Sequence, residues 1–219
     1  MKKVKSKISL FVLMCMVFGN VMLVNAQDAD INETDPSKVF PASEVEKLVE
    51  EANQKEITID TKAPTTRASY GSYPTRKGVI LVTDDAYKGV FEVGHAAIIY
   101  TGTSVVESNP DNGVEIGPND WNKSKSQAYA VTVKGTTTAQ DSTVANWCWN
   151  QRSKPYNWNF YRMDYRDKFY CSHLIRAGYL DLYNIDLDTS DFNVGSALKA
   201  IHPMELVNTS QTSLIYRKK

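Results

Sequence analysis

Three side chains far apart in the chain have the types needed for nucleophilic catalysis by a thiolate: Cys171, His95 and Glu107. Cys171 stands in Lys168-Phe169-Tyr170-Cys171-Ser172-His173-Leu174, where an irregular aromatic stretch gives way to residues with helical spacing. A thiol on the first turn of a helix lies beside unpaired backbone N–H groups and the positive end of the helix dipole, which lower its pKa and raise the thiolate fraction. The same N–H groups can receive the oxyanion of a tetrahedral intermediate. One position therefore offers a nucleophile and part of the site that stabilises what it makes. A buried structural cysteine is the commoner role for this residue type, but it gives no reason for this location.

His95 follows Gly94 in Gly94-His95-Ala96-Ala97-Ile98-Ile99-Tyr100, an imidazole on an otherwise apolar strand whose small neighbours let another element approach. The strand runs into Tyr100-Thr101-Gly102, and a three-residue hairpin loop of that kind wants glycine in its left-handed third position. Pairing then runs 99 with 103, 97 with 105 and 95 with 107, which sets Glu107 directly opposite His95 on the same face. A carboxylate beside one ring nitrogen fixes the tautomer and supports the imidazolium, leaving the other nitrogen for a thiol. The alternative is an incidental His–Glu pair on a wet face, which Ala97, Ile99 and Val105 on that face argue against. A one-residue change in the loop would turn Glu107 away.

Other candidates carry less. His173, two residues past Cys171, lies about 200° round the helix and points away from the thiol, in a structural or substrate-rim role. That separation weakens a zinc site built from Cys171, His173, His95 and Glu107, and with no metal-ligand spacing present, neither metal nor cofactor is expected. His202 precedes Pro203 in a loop and reads as solvated. Cys148, between Trp147 and Trp149, reads as core packing, although a bridge to Cys171 would silence the nucleophile. The densest aromatic stretch, from Trp147 to Tyr170, leads to Cys171; much of it must be core, and the rest suits a half-wet cleft for a peptide, a sugar or an acyl chain. Arg152, Lys154, Arg162, Arg166 and Lys168 are interspersed there, either as a solvated face or as partners for an anionic substrate.

The elements that must position these residues follow from periodicity. Strands are expected over 78–83, 91–100, 103–107, 113–116 and 127–134, with Asp84-Asp85 in a turn and a closing strand over 213–217. Helical spacing covers 139–151, through Val144, Trp147 and Cys148, and 171–183, through Leu174, Ile175, Gly178 and Tyr179. A run of strands followed by helices is an α+β layout. Upstream, residues 27–69 hold ten acids and five bases, an acidic arm distinct from the nearly neutral body. Within it Ser43-Glu44-Val45-Glu46 has capping-box spacing, and Val45, Leu48, Val49 and Ala52 form a short apolar stripe, so a helix over 42–54 is expected, with linker from Thr61 to Ala68. The small stripe favours a tether over a cleft-covering pro-segment. The divisions are thus a leader over 1–26, the arm over 27–75 and the body over 76–219.

At 219 residues, 42% apolar and 23% charged, the chain suits one folded domain and excludes collagen-like, low-complexity and polyanionic classes. Lysine plus arginine equal aspartate plus glutamate at 25 each, and the first 26 residues take four lysines and no acid, which argues against nucleic-acid binding through phosphates. Those first residues read as a secretory signal peptide: a cationic head to Lys7, an apolar run from Ile8 to Val24, and the small-residue exit Val24-Asn25-Ala26. Export to the cell envelope or beyond is expected, with no membrane-spanning segment once the leader is gone. Cys15 lacks the preceding small residue of a lipoprotein cleavage site and leaves with the leader. The two remaining thiols fit either a single disulfide or a reactive cysteine.

Gly94-His95 on a strand, Glu107 twelve residues later and Phe169-Tyr170-Cys171-Ser172 opening a helix resemble the circularly permuted papain-like hydrolases of the NlpC superfamily, in the YiiX/YebB-like branch. Order carries the resemblance, since ordinary NlpC-type enzymes place cysteine before histidine, whereas here His95 precedes Cys171 by 76 residues. The Gly78-Val79-Ile80-Leu81 opening, the run Glu107 to Val114, Trp121, Pro155-Tyr156 and Pro203-Met204-Glu205-Leu206 extend it over about 76–217, while Val79 and His173 depart from residues common in relatives. The resemblance implies a papain-like antiparallel sheet packed on helices in permuted order. It implies thiolate chemistry at Cys171, His95 as base and acid, Glu107 orienting it, and Tyr156 near the oxyanion. The expected activity is hydrolysis of a peptide or isopeptide amide, first of all in cell-wall peptides. The alternatives are a lipid amidase, thioesterase or acyltransferase of the same fold, or a non-catalytic exported binding domain with Cys171 bridged or inert.

Overall fold

The computed structural model of the protein describes residues 32–63, 71–86 and 93–218. The leader, with Cys15, and the linker from Pro64 onward lie outside the described residues. Six strands, β1 (Ile80–Thr83), β2 (His95–Thr101), β3 (Ser104–Asn109), β4 (Gly113–Pro118), β5 (Ala128–Val133) and β6 (Thr212–Lys218), make one antiparallel sheet in the order β4-β3-β2-β1-β5-β6. The period of two along a strand sorts the sequence into two faces. Ile80, Val82, Ala96, Ile98 and Val106 join the main core. Val79, Leu81, Ala97, Ile99 and Val105 form a smaller cluster on the other side, closed by Trp121 from the short helix α3 (Trp121–Ser124) and by Ile215. Covered on both faces, β1 and β5 are buried along their whole length.

The main face carries α4 (Thr138–Trp149) and α5 (Cys171–Tyr183). A capping box opens α4: Gln140 N–H donates to Thr137 Oγ1 at 3.2 Å, and Thr137 N–H donates to Gln140 Oε1 at 2.8 Å. The two helices cross closely at Gly178, where a methyl group would stand 2.9 Å from Val144 Cγ1 and 3.6 Å from Cys148 Sγ. That crossing seals Cys148 into the core.

The arm is part of this body. Its helices α1 (Pro36–Val39) and α2 (Ala42–Gln54) place Val39, Phe40, Leu48 and Ala52 in the main core. α2 covers the expected residues but starts after Pro41 with no side-chain cap, so Ser43 lies inside the first turn and the expected capping box is not made. Phe40 is the residue that the apolar stripe did not include, and it changes the outcome: its ring meets Phe160, Phe192 and His202 edge-on at 5.4, 5.1 and 5.2 Å. α2 packs on α6 (Glu205–Asn208). Buried Asp141 on α4 receives Lys62 at 3.0 Å, Arg76 at 3.0 Å and the Thr136 hydroxyl at 2.6 Å, and Arg76 also grips Asp60 at 2.7 Å. A carboxylate out of water needs such partners, and here two of them come from the arm and the segment following it. A tether would have none of this.

Candidate active site

The site forms at the start of β2, where the helix side of the sheet and its opposite face meet. Gly94 precedes it with φ +60°, and a methyl group at 94 would collide with the Thr83 carbonyl, so only glycine brings the chain this close to β1 before His95. His95 and Cys171 are both buried. The two side chains lie close enough that each shifts the other's protonation, and the backbone N–H groups of Ala96 and Ser172 act on the sulfur in the same direction. The N-cap of α5 is Tyr170, whose side chain makes no cap bond. Its hydroxyl donates instead to the Phe160 carbonyl and accepts from Ile201 N–H. The first turn of α5 is thus left without a capping side chain, and its Ser172 N–H acts on the sulfur.

On the other side, His95 Nε2 is 2.7 Å from Glu107 Oε2, which leaves Nδ1 for the thiol. The hairpin reaches this by a register different from the expected one. Ala97 pairs with Glu107, Ile99 with Val105 and Thr101 with Ser104, with a bulge between Ile99 and Thr101. The turn is two residues, Gly102-Thr103, and Tyr100 is the extra residue. Glu107 is therefore diagonal to His95, not opposite it. Because the register differs from the expected one by two residues, its side chain stays on the same face, and the diagonal lies within reach of a glutamate. Trp121 stacks on the imidazole at 5.7 Å and 27°.

Charge shifts follow from these contacts. Burial opposes a charged ring at His95, but hydrogen bonds to Cys171 and Glu107, with their negative charge, outweigh it and raise the ring from 6.5 to about 9. At Cys171 burial pushes the thiol up, and the hydrogen bond and charge of His95, followed by the N–H groups of Ala96 and Ser172, bring it below 9.0. Burial also opposes charge on Glu107, yet His95 and, to a smaller degree, Lys125 hold it below 4.5. The shifts favour a thiolate–imidazolium pair with a carboxylate behind it.

Tyr156 is buried beside the segment that leads to Cys171, bridging to Phe169 and packing against Trp158 at 5.0 Å. Ser108 is a residue that the sequence did not single out: its hydroxyl donates to the Phe169 carbonyl at 2.7 Å. Adjacent residues of β3 thus face opposite ways, Glu107 toward His95 and Ser108 toward the segment carrying Cys171. The polar run Glu107-Ser108-Asn109 directly after Val105-Val106 was the available signal. Cys148 and Cys171 are both free thiols. His173 is fully buried against Phe169 and Tyr170, with Nε2 2.9 Å from the Met163 carbonyl, and burial takes its ring down to about 3. His202, expected in solvent, is also fully buried, because Phe40 and Phe192 close over it; its Nδ1 accepts from Met204 N–H at 3.1 Å. The cations of the aromatic stretch are largely engaged: Arg162 pairs with Asp164, Arg166 with Asp181, and Arg152 lies on the Trp149 ring at 3.5 Å. Among the described residues, no group of three or more His, Cys, Asp or Glu side chains is arranged to hold a metal ion, and no helix is long and apolar enough to cross a membrane.

No curated relative matches the chain. Among solved structures, the crystal structure of the metalloprotein yiiX from Escherichia coli O157:H7 is similar at 14% identity and a TM-score of 0.49, over 67% of this chain and 99% of that one. Residues 78–204, more than half of the chain, match the sequence model of a family described as permuted papain-like amidase enzymes, YaeF/YiiX, C92 family. With cysteine chemistry and amide cleavage as that family's character and the antiparallel sheet packed on helices as its fold, the chain belongs to the permuted papain-like amidases.

Proposed function

We propose that the protein is an exported cysteine amidase that cleaves amide bonds in cell-wall peptides, with Cys171 as nucleophile, His95 as proton carrier and Glu107 as the carboxylate that orients and supports the ring. The observation that carries this reading is the buried His95 ring held to Glu107 at 2.7 Å, with Cys171 near enough that ring and sulfur each favour the other's charged form. In the first step the thiolate attacks the carbonyl carbon, a C–S bond forms, and the carbonyl π electrons move to oxygen. N–H groups of the α5 first turn receive that oxyanion, with Tyr156 beside them by likeness to the family. His95 then gives its proton to the leaving nitrogen as the C–N bond breaks, producing an amine and a thioester. Water loses a proton to His95, attacks the thioester and returns the sulfur as thiolate. Export rests on the leader-like first 26 residues, and cell-wall peptides are the amide-rich polymer outside a cell whose bonds such an enzyme meets.

The test is to incubate the purified full chain with peptidoglycan fragments and, separately, with acylated lipids, and to follow new primary amine or carboxylate. Release from the fragments that disappears in Cys171→Ser supports the proposal. Turnover of the lipids alone, or activity that survives Cys171→Ser, overturns it.

A further inference from the structure

We propose that Gly117 is a positioning residue for the reaction: the empty place above it is the berth in which the Glu107 carboxylate lies against His95. The inference rests on the Cys171–His95–Glu107 reading and extends it to a residue that touches none of the reacting atoms.

Gly117 sits on β4 opposite Val105, one pleat along from the Glu107–Glu115 pair, so positions 105, 107, 115 and 117 share the face on which His95 stands. Its backbone does not call for glycine, since φ at 117 is not among the positive values found at Gly94 and Gly113. Space does. A methyl group at 117 would overlap one carboxylate oxygen of Glu107, stand 2.9 Å from its Cδ and lie 3.4 Å from Val105 Cγ2. The carboxylate is not an idle chain end that can swing away at little cost, because its other oxygen is fixed to His95 Nε2 at 2.7 Å.

A second feature makes the berth necessary. Glu115 pairs directly with Glu107 across the strands, and like charges so placed repel. Glu115 is held by the side-chain amides of Asn109 and Asn112. Glu107 goes to His95. With Glu115 occupying the cross-strand neighbour and Val105 the next place on its own strand, the missing side chain at 117 is the room left for the carboxylate. Glycine at this position thus governs where the charge behind the imidazole sits.

The test uses the full chain and two readouts that need no substrate: the NMR titration of the His95 ring and the pH dependence of iodoacetamide labelling at Cys171. In Gly117→Ala the ring should titrate well below its value of about 9. Labelling at neutral pH should slow toward that of Glu107→Ala, and peptide hydrolysis should fall by up to about 100-fold, as for a catalytic group displaced by about an ångström. In Glu107→Ala the berth is vacant, so adding Gly117→Ala should change neither readout further; this double variant removes the collision and also covers the case in which Gly117→Ala alone fails to fold. If Glu107→Ala lowers the ring titration and Gly117→Ala leaves it unchanged, the role of Gly117 is overturned while the triad stands. A full additional effect of Gly117→Ala in the Glu107→Ala background overturns it equally. If Glu107→Ala itself leaves the ring titration and the labelling unchanged, the triad reading fails.

Discussion

The two thiols of the body are almost equally buried, Cys148 at 0% and Cys171 at 4% exposure, yet their protons are held with opposite strength. Cys148 sits in the last turn of α4, and its S–H points at the Leu174 carbonyl at 3.9 Å, an acceptor that keeps the proton in place. Burial pushes that thiol far up. Cys171 opens α5, and the groups that lower its thiol are donors: the imidazole and two backbone N–H groups. Removal from water is common to both. What separates an inert core thiol from a reactive one is whether the neighbours welcome the charged or the neutral form.

The contrast can be broken most directly by alkylation. With iodoacetamide near pH 7, Cys171 should be labelled at least about a thousandfold faster than Cys148, read by mass spectrometry of the two peptides; comparable rates would erase the distinction. Next in size is His95→Ala, which removes the leading partner of the sulfur and should slow Cys171 labelling by about 10- to 100-fold while leaving Cys148 untouched. Hydrolysis should decline by about tenfold per pH unit above about 9, because the leaving nitrogen then finds no imidazolium. The same raised ring has a stability signature: its proton stabilises the folded state fully below 6.5, and that contribution is lost as pH rises through about 9, measurable as a falling denaturation midpoint over that range. Smallest is Cys148→Ala. It should cost about 1–2 kcal/mol of stability in chemical denaturation and leave Cys171 labelling unchanged.

Much of this was legible before any coordinates, and the reasons are local. Alternation and helical spacing locate all six strands and the helices α2, α4 and α5 to within a few residues, because each buries a regular face. The four-residue helices α1, α3 and α6 are too short to show a period. The pairing of His95 with Glu107 was read from the wrong register and survived, since glycine in the turn signals a tight hairpin but not the bulge at Tyr100, and a difference of two residues preserves the face. His202 was misplaced and Phe40 passed over for one reason: each covers the other, and no spacing in the sequence announces a contact across more than 160 residues. Gly117 was silent for a similar reason, because its partner is a carboxylate on the neighbouring strand rather than an unusual backbone angle.

The close of the arm onto the last strand carries a consequence for how the molecule is made. Thr58 N–H donates to the Leu214 carbonyl at 2.7 Å, and Arg217 reaches the carbonyls of Ala52 and Lys55 at 3.0 and 2.9 Å. Phe40 meets Phe160, Phe192 and His202 and Lys62 meets Asp141 within residues made earlier, so this closing tie is the last of the arm's contacts that can form, once the ribosome has passed residue 217.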